Sequence, residues 1–368
     1  MKPVPYRIHV DDAVLADLRR RIHHTRWPDP APGEPWQQGT DLTYLQELLG
    51  YWADGYDWRA AEAALNRYPH YRVELGGATI HFVHVKTGGT PLVVTHGWPS
   101  SFAEPLALVE HAPGFDLVIP SLPGYGFSPR PDRQGVNYRY VAGLWHQLMR
   151  GLGYQRYGAA GGDFGGGVAA IMALDDPDPL IGIHLTDMDV TPYTGEGAPP
   201  LSPAERAYLE HQRTWWAAEG GYKAIQSTKP QTLGYALTDS PAGLAAWVLE
   251  KWRSWADSGG DLGRLDRDAL LTHLTIYWAT GTITSSMRDY YDNRWHPVTL
   301  GPHHRVRVPT GFAIFGHQYI PEGEPPREYA ERLYDVRRWT VMPRGGHFAA
   351  AEAPELLAAE IGAFFGDL

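Results

Sequence analysis

Cysteine is absent from this chain of 368 residues, and its absence excludes several kinds of chemistry. Disulfide bonds, a thiolate nucleophile and metal sites built on cysteine cannot form. Long hydrophobic runs are absent as well. No run of about eighteen apolar residues occurs, so no segment is expected to span a bilayer. The opening residues, MKPVPYRIHVDD, contain no apolar core of signal-peptide length. We therefore expect a cytoplasmic protein.

Basic residues are too few to balance the acidic ones. The chain has 32 Lys and Arg against 42 Asp and Glu, which gives a formal net charge of −10. A surface of this sign repels phosphate groups, so neither nucleic acid nor an anionic membrane is an expected partner. Apolar residues make up 43% of the chain, with 14 Trp and 21 Tyr among them. This length and composition allow one large catalytic domain with a smaller inserted or appended one.

The first part of the chain has helical periodicity. Residues 10–25 predict a helix that Asp11 or Asp12 can cap, because apolar side chains recur at helical spacing. The Pro-rich stretch WPDPAPGEPW ends this helix. Two further helical segments follow, one opened by Asp41 and one in WRAAEAALNRY. We assign residues 1–70 to an N-terminal helical meander.

The pattern then changes to strands that alternate with helices. The predicted strands are TIHFVHV, PLVVTH, FDLVIP, RYGAAGG, LIGIHL, VPTGFAIF and RWTVMP. Helical stretches at residues 138–152 and 165–174 lie between them, and this alternation predicts an α/β fold with a doubly wound, mostly parallel sheet. Residues 191–300 are mostly helical and aromatic-rich, which favours a helical lid inserted between two parts of the core, residues 71–190 and 301–368.

The strongest chemical motif is Gly161-Gly162-Asp163-Phe164-Gly165, which follows a short strand and precedes a helix. This is the context of a nucleophile elbow, in which glycines allow a cramped turn that lifts the central side chain above the sheet. The central residue is usually Ser. An Asp there forms an ester with an alkyl carbon, so the expected electrophile is an epoxide or an alkyl halide. The structural alternative is a glycine-rich turn capped by Asp163.

Two further turns supply the partners that such a nucleophile needs. The sequence HGWP ends the strand PLVVTH, and the N–H of Trp98 could join that of Phe164 in an oxyanion hole. The sequence GGHF follows the last predicted strand and places His347 as the general base. The chain order, nucleophile before histidine, is the one expected of α/β hydrolases. A turn with a buried Trp98 and a core His347 are the structural alternatives.

At this point the chain resembles the microsomal-type epoxide hydrolases along nearly its whole length. The similar blocks, in the family's order, are HGWPSS, GGDFGGG, QSTKPQTLGYALTDSPAGLAAWVLEKW, YWATGTITSS and PRGGHFAA. The segment WRAAEAALNRYPHYRVELGGATIHFVHVK resembles the end of that family's N-terminal meander. The resemblance implies an α/β-hydrolase fold and, because the chain starts directly at the meander, a soluble, bacterial-like form.

The resemblance also implies roles for single residues. Asp163 corresponds to the nucleophile and His347 to the base that activates water. Two lid tyrosines of the family donate hydrogen bonds to the epoxide oxygen, and the matching residues are Tyr222 and Tyr290. A shift of one position would exchange Tyr290 for Tyr291. A packed lid aromatic is the structural alternative for each.

The chain departs from the family at the acid that supports the histidine. That acid is usually Glu, and Gln318 stands at its position. A glutamine can accept a hydrogen bond from the imidazole but cannot offset its positive charge. In the serine-protease example of the same relay, an amide in place of the acid lowers turnover by about 10⁴. We therefore expect hydrolysis of the ester to be slowed more than its formation.

Three accounts of Gln318 are open. It is an inactivating or trapping substitution, or another carboxylate supplies the charge, or turnover has been lost. Asp187 and Asp189, just beyond the strand LIGIHL, are the alternative acids, because some α/β hydrolases place the acid there. Glu322 and Glu324 are expected to lie too far along the following loop.

The sequence thus predicts an epoxide hydrolase that converts a bulky, aromatic or polycyclic epoxide to a vicinal diol. Its only partners are this substrate and water, no metal or organic cofactor is expected, and a homodimer is left open. The candidate substrate-binding residues are Trp98, Phe164, Trp215, Trp216 and Tyr291. A haloalkane dehalogenase with the same Asp-His pair and a ligand-binding protein without turnover are the alternatives.

Overall fold

The computed structural model describes residues 1–368 and contains one nine-stranded sheet in the order β1-β2-β3-β5-β4-β6-β7-β8-β9. The strands are β1 Val4–Tyr6, β2 His70–Leu75, β3 Ala78–Val85, β4 Thr90–Thr95, β5 Phe115–Pro120, β6 Tyr157–Gly161, β7 Leu180–Leu185, β8 Val306–Ile314 and β9 Tyr334–Val341. From β5 to β9 every neighbouring pair is parallel, whereas β1, β2, β3 and β5 pair antiparallel. The predicted α/β class and mostly parallel sheet are confirmed.

Fourteen α-helices surround the sheet. They are α1 Asp12–His23, α2 Leu42–Asp54, α3 Trp58–Leu65, α4 Tyr138–Gly151, α5 Phe164–Asp175, α6 Pro203–Glu219, α7 Gly221–Gln226, α8 Pro230–Asp239, α9 Pro241–Trp255, α10 Arg267–Thr280, α11 Ile283–Trp295, α12 Arg327–Ala330, α13 Ala349–Glu352 and α14 Pro354–Gly366. Short 3₁₀ segments run over Pro105–Glu110 and Leu262–Arg264. None of the helices combines the length and the apolar character that a bilayer crossing requires.

The central strands are apolar because both faces of the sheet are covered. All six residues of β5, FDLVIP, are buried, and so are the last four of β4. Helices α4 and α5 pack against each other on one face through apolar side chains, and α5 is buried over most of its length. Helix α14 packs on β7 and β8, and the 3₁₀ segment Pro105–Glu110 packs on β5. This double burial removes the polar alternation of a one-sided sheet and explains why short continuous apolar runs predicted the strands correctly.

The sheet includes residues nearer the N-terminus than the hydrophobic periodicity of the sequence indicates. The short strand β1 pairs with β2, with Val4 opposite Arg72, so part of the N-terminal segment belongs to the sheet. Three residues are too few to display strand alternation. The helices that follow begin where side-chain caps allow: Asp41 accepts a hydrogen bond from the backbone N–H of Tyr44 at 2.9 Å. At α1, Asp11 holds the capping position without such a bond.

The carboxyl ends of the parallel strands meet at one edge of the sheet. There Thr95 of β4 pairs with Gly161 of β6, and Gly161 pairs with Leu185 of β7. The chain turns that follow these strands therefore lie side by side, which is where ligands bind in open α/β sheets. Helices α6–α11 lie between β7 and β8 in the chain and contribute Tyr222 and Tyr290 to the same edge.

Candidate active site

Asp163 stands on a strained turn between β6 and α5. Its φ of 50° and ψ of −133° lie in a region that residues other than glycine seldom occupy. The turn also needs glycine beside it, because a Cβ on Gly161 would lie 2.7 Å from the backbone oxygen of Thr95. A strained residue held by close packing is typical of a functional position. The turn has the geometry of the predicted nucleophile elbow.

One oxygen of the Asp163 carboxylate receives two backbone donors. The N–H of Trp98 lies 2.9 Å from Oδ1 and the N–H of Phe164 lies 2.6 Å from the same atom. Trp98 can approach because Gly97 has no side chain, and a Cβ there would lie 2.5 Å from Oδ1. Two N–H groups aimed at one carboxyl oxygen form the arrangement that stabilises an oxyanion.

The second carboxylate oxygen faces His347, whose Nε2 lies 3.7 Å from Asp163 Oδ2. Burial raises the pKa of Asp163 to about 6, against the opposing effect of its backbone donors. Burial likewise lowers the pKa of His347 to about 4. Both shifts favour the uncharged forms and outweigh the mutual attraction of the charged pair. At neutral pH the site therefore holds a carboxylate beside a neutral imidazole, which are the forms needed for a nucleophile and a general base.

Tyr222 and Tyr290 lie across from this carboxylate. Their rings are 5.8 Å apart and both pack on the indole of Trp98, at 5.6 and 5.8 Å. Burial raises the pKa of both phenols well above the usual range, so both remain protonated donors. The hydroxyl of Tyr290 is buried without a hydrogen-bond partner. A buried hydroxyl without a partner lowers the stability of the fold by about 1–3 kcal/mol. A ligand oxygen that accepts a hydrogen bond from it removes this cost.

The large cavity between the tyrosines and Asp163 has a volume of about 1000 Å³. Trp215, Trp216 and Phe164, three of the predicted substrate-binding residues, line it. Tyr291 does not, because its ring packs on Trp295 at 6.1 Å. The indole of Trp98 is fully buried beneath the tyrosines, so its contribution at this cavity is its backbone N–H.

The cavity wall is more polar than an aromatic-rich lid suggests. Several charged side chains line it, namely Asp187, Asp189, Lys223, Arg294, Glu322 and Glu324. Burial raises the pKa of Glu322 to about 7, while the charge of Lys223 acts in the opposite direction. One side of the cavity is therefore polar. No group of three or more histidine or carboxylate side chains is arranged to hold a metal ion.

Gln318 lines the cavity but makes no hydrogen bond with His347. Its Oε1 accepts a bond from the backbone N–H of Glu322 at 3.2 Å. This contact folds the loop back on itself, so that Glu322 and Glu324 both reach the cavity that contains Asp163. Distance along the loop was therefore a poor guide to their position.

The two alternative acids are close to the nucleophile but do not contact the histidine. Asp187 Oδ2 accepts a 2.6 Å bond from the backbone N–H of Asp163 and so holds the strained turn. Asp189 accepts a bond from the hydroxyl of Tyr138. The side chain of Asp189 faces the cavity, and protein surrounds that cavity. The resulting loss of bulk water raises the pKa of Asp189 to about 6. The charge of Asp189 favours protonation of His347 without a direct bond.

Comparison with known proteins agrees with this geometry. Residues 3–105 match the family model described as epoxide hydrolase N terminus, and residues 90–210 match the alpha/beta hydrolase fold. A protein of Stigmatella aurantiaca named as an epoxide hydrolase is 40% identical over 99% of this chain and 85% of its own length. Epoxide hydrolase 1 of Sus scrofa is 35% identical over 98% of this chain and 88% of its own length.

Solved structures give the same result. The crystal structure of juvenile hormone epoxide hydrolase from the silkworm Bombyx mori superimposes with a TM-score of 0.84 and 32% identity, over all of this chain and 94% of that one. The structure of Aspergillus niger epoxide hydrolase superimposes with a TM-score of 0.85 and 28% identity, over all of this chain and 97% of that one. The chain thus belongs to the epoxide hydrolases and is an enzyme of the α/β-hydrolase fold.

Proposed function

We propose that Asp163 is the nucleophile, His347 the general base, and Tyr222 with Tyr290 the acid pair that acts on the epoxide oxygen. This assignment rests on one observation, which is that all of these groups surround the carboxylate of Asp163. Two N–H donors bind Oδ1, the imidazole faces Oδ2, and two buried phenols lie across the cavity. Each group has the protonation state that its role requires at neutral pH.

In the first half-reaction a carboxylate oxygen of Asp163 attacks one epoxide carbon, and the bond from that carbon to the epoxide oxygen breaks. The oxygen becomes an alkoxide, which accepts a proton from Tyr222 or Tyr290. The hydroxyl of Tyr290 has no other hydrogen-bond partner, so it can donate to the epoxide oxygen as negative charge develops there. The product of this step is a hydroxyalkyl ester of Asp163.

In the second half-reaction His347 removes a proton from water, and the water oxygen attacks Cγ of the ester. The N–H groups of Trp98 and Phe164 bind the resulting oxyanion. The bond from Cγ to the alkyl oxygen then breaks, the alkoxide takes the proton from His347, and a vicinal diol leaves. The second proton of the water, which stays on the new carboxyl of Asp163, passes to the tyrosinate left by the first half-reaction, so that both residues regain their starting forms. One oxygen of the water remains in the carboxylate of Asp163.

The substrate we propose is a bulky epoxide with an aromatic part. A cavity of about 1000 Å³ accommodates such a molecule, and Trp215 and Trp216 offer ring surfaces for its aromatic portion. Polar substituents would face the wall that carries Lys223 and Glu322. Because no side chain bonds to the imidazole from the position of Gln318, we expect ester hydrolysis to be the slow half-reaction.

Intact mass measured during reaction with styrene oxide tests the proposed mechanism. We expect the protein to gain one substrate mass, and Asp163→Asn, which keeps the size of the side chain, to gain none. In a single turnover in ¹⁸O water, label should enter the protein before it reaches the diol. Label that appears in the diol during the first turnover, with no adduct, would overturn the covalent route.

A further inference from the structure

A second, smaller cavity lies next to the nucleophile and has a largely different set of lining residues from the substrate cavity. It has a volume of about 50 Å³, and Asp163 and His347 border both cavities. Its remaining lining includes Ser100, Glu104 and His184. A cavity needs roughly 10–15 Å³ to hold one water molecule, so this space has room for a few.

The polarity of the lining indicates that this cavity is wet. His184 is only 1% exposed, and neither of its ring nitrogens has a hydrogen-bond partner. Burial lowers the pKa of His184 to about 4, so the ring is neutral, with one nitrogen a donor and the other an acceptor. Buried polar groups of this kind are satisfied by ordered water when protein partners are missing.

Glu104 gives the small cavity a group that can hold a proton near neutral pH. Burial raises the pKa of its carboxyl to about 7, and the charges of Glu352 and Asp163 act in the same direction. Hydrogen bonding by Ser100 and by the backbone of Ala350 opposes this shift. None of the steps of the proposed mechanism uses this group.

The second half-reaction needs water at a place that the substrate does not occupy. Once the ester has formed, its alkyl part occupies the region of the large cavity next to Asp163 and the tyrosines. Water that reaches Cγ of Asp163 must then approach from another side, within reach of His347. The small cavity is a polar space that borders both residues.

We propose that the small cavity stores the hydrolytic water and that Glu104 is the positioning residue that orients it between His347 and Asp163. The inference rests on the proposed function and concerns its second half-reaction. Glu104 accepts a hydrogen bond from one O–H of the water, His347 removes the other proton, and the oxygen attacks Cγ of Asp163. Glu104 is unchanged at the end of the cycle.

The test is Glu104→Gln, studied in single turnovers with excess enzyme and styrene oxide. Quenched samples give the rates of ester formation and ester hydrolysis separately. We expect hydrolysis to slow by about tenfold to a hundredfold, as for a misplaced reactant, with ester formation changed less than about twofold. Glu104→Asp should restore part of the loss. Glu110→Gln, at the exposed end of the same 3₁₀ segment, should change neither rate.

The pH profile separates positioning from a structural role. The titratable groups around Glu104 are Asp163, His347, Glu352 and His184. Asp163 cannot titrate once it is esterified, the pKa of Glu352 is raised to about 6, and those of His347 and His184 are lowered to about 4, so the pKa of Glu104, about 7, is the highest of those that remain. Ester hydrolysis should therefore lose a titration near pH 7 in Glu104→Gln. Unchanged hydrolysis, or an equal fall in both half-reactions, would overturn this inference alone. Failure of the parent protein to form any ester would overturn the proposed function and the inference together.

Discussion

The nucleophile turn and the acid loop are supported very differently. Asp163 is held by the backbone of Trp98 and Phe164 on one side and by Asp187 on the other. The histidine depends on its backbone, through a 2.9 Å bond from the N–H of His347 to the carbonyl of Trp255, and on aromatic packing. In the mechanism that we propose, the groups that form the ester are thus in place, whereas the imidazole that hydrolyses it lacks a bonded acid.

Removal of the nucleophile should have the largest effect. Asp163→Ala should abolish adduct formation and, with it, all diol that forms through the ester, leaving the rate of the reaction without protein. Intact mass and diol analysis measure both. The fold should persist, because the carboxylate is buried at a free-energy cost that alanine does not carry. Diol formed at the parent rate would show that the turn is not catalytic.

A carboxylate at position 318 should give His347 the support that it lacks, so that the acid loop matches the nucleophile turn. Gln318→Glu should raise steady-state turnover by up to about 10⁴-fold, since a negative charge beside the imidazole stabilises the imidazolium. The ester should then no longer accumulate. Gln318→Met, which is similar in size and uncharged, is the matched control and should give no gain. If the Glu variant is no faster than the parent, another carboxylate already acts on His347, and Asp189 is the first to test.

Lowering the pH below 6 should slow ester formation while His347 stays in its neutral form. Burial raises the pKa of Asp163 to about 6, so its carboxylate is lost as pH falls through that value. The rate of ester formation should therefore drop about tenfold for each pH unit below 6. His347, whose pKa is lowered to about 4, should remain neutral over that range. Rapid-quench measurements of ester formation between pH 4.5 and 8 test this. If the rate falls only near pH 4, burial does not raise the pKa of Asp163.

The tyrosines should give the smallest kinetic effect and an opposite effect on stability. Tyr290→Phe should slow ester formation by about tenfold to a hundredfold, since Tyr222 remains as a donor. It should also raise the free energy of unfolding by about 1 kcal/mol, because it removes a buried hydroxyl that has no partner. Chemical denaturation and single-turnover kinetics are the measurements. Tyr291→Phe, outside the cavity, is the control and should leave ester formation unchanged.

Much of the site could be predicted from single residues because its motifs follow strands. Asp163, Trp98 and His347 each stand in the chain segment that follows a strand of the parallel sheet, and parallel strands bring such segments to one edge. Tyr222 and Tyr290 were chosen by resemblance alone, since no spacing distinguishes them from the other tyrosines. Glu104 was missed because its place beside the nucleophile depends on how a 3₁₀ segment packs.

Local sequence determined the central strands, the strained turn at Asp163 and the order of the motifs that follow the strands, because short-range sterics and burial on both sheet faces act on neighbouring residues. Only the tertiary structure decided what surrounds the imidazole. The fold of the loop after β8 brings Glu322 and Glu324 to the cavity, and Asp187 binds the turn instead of the histidine. These outcomes depend on contacts between segments far apart in the chain, and such contacts leave no periodic signal in the sequence.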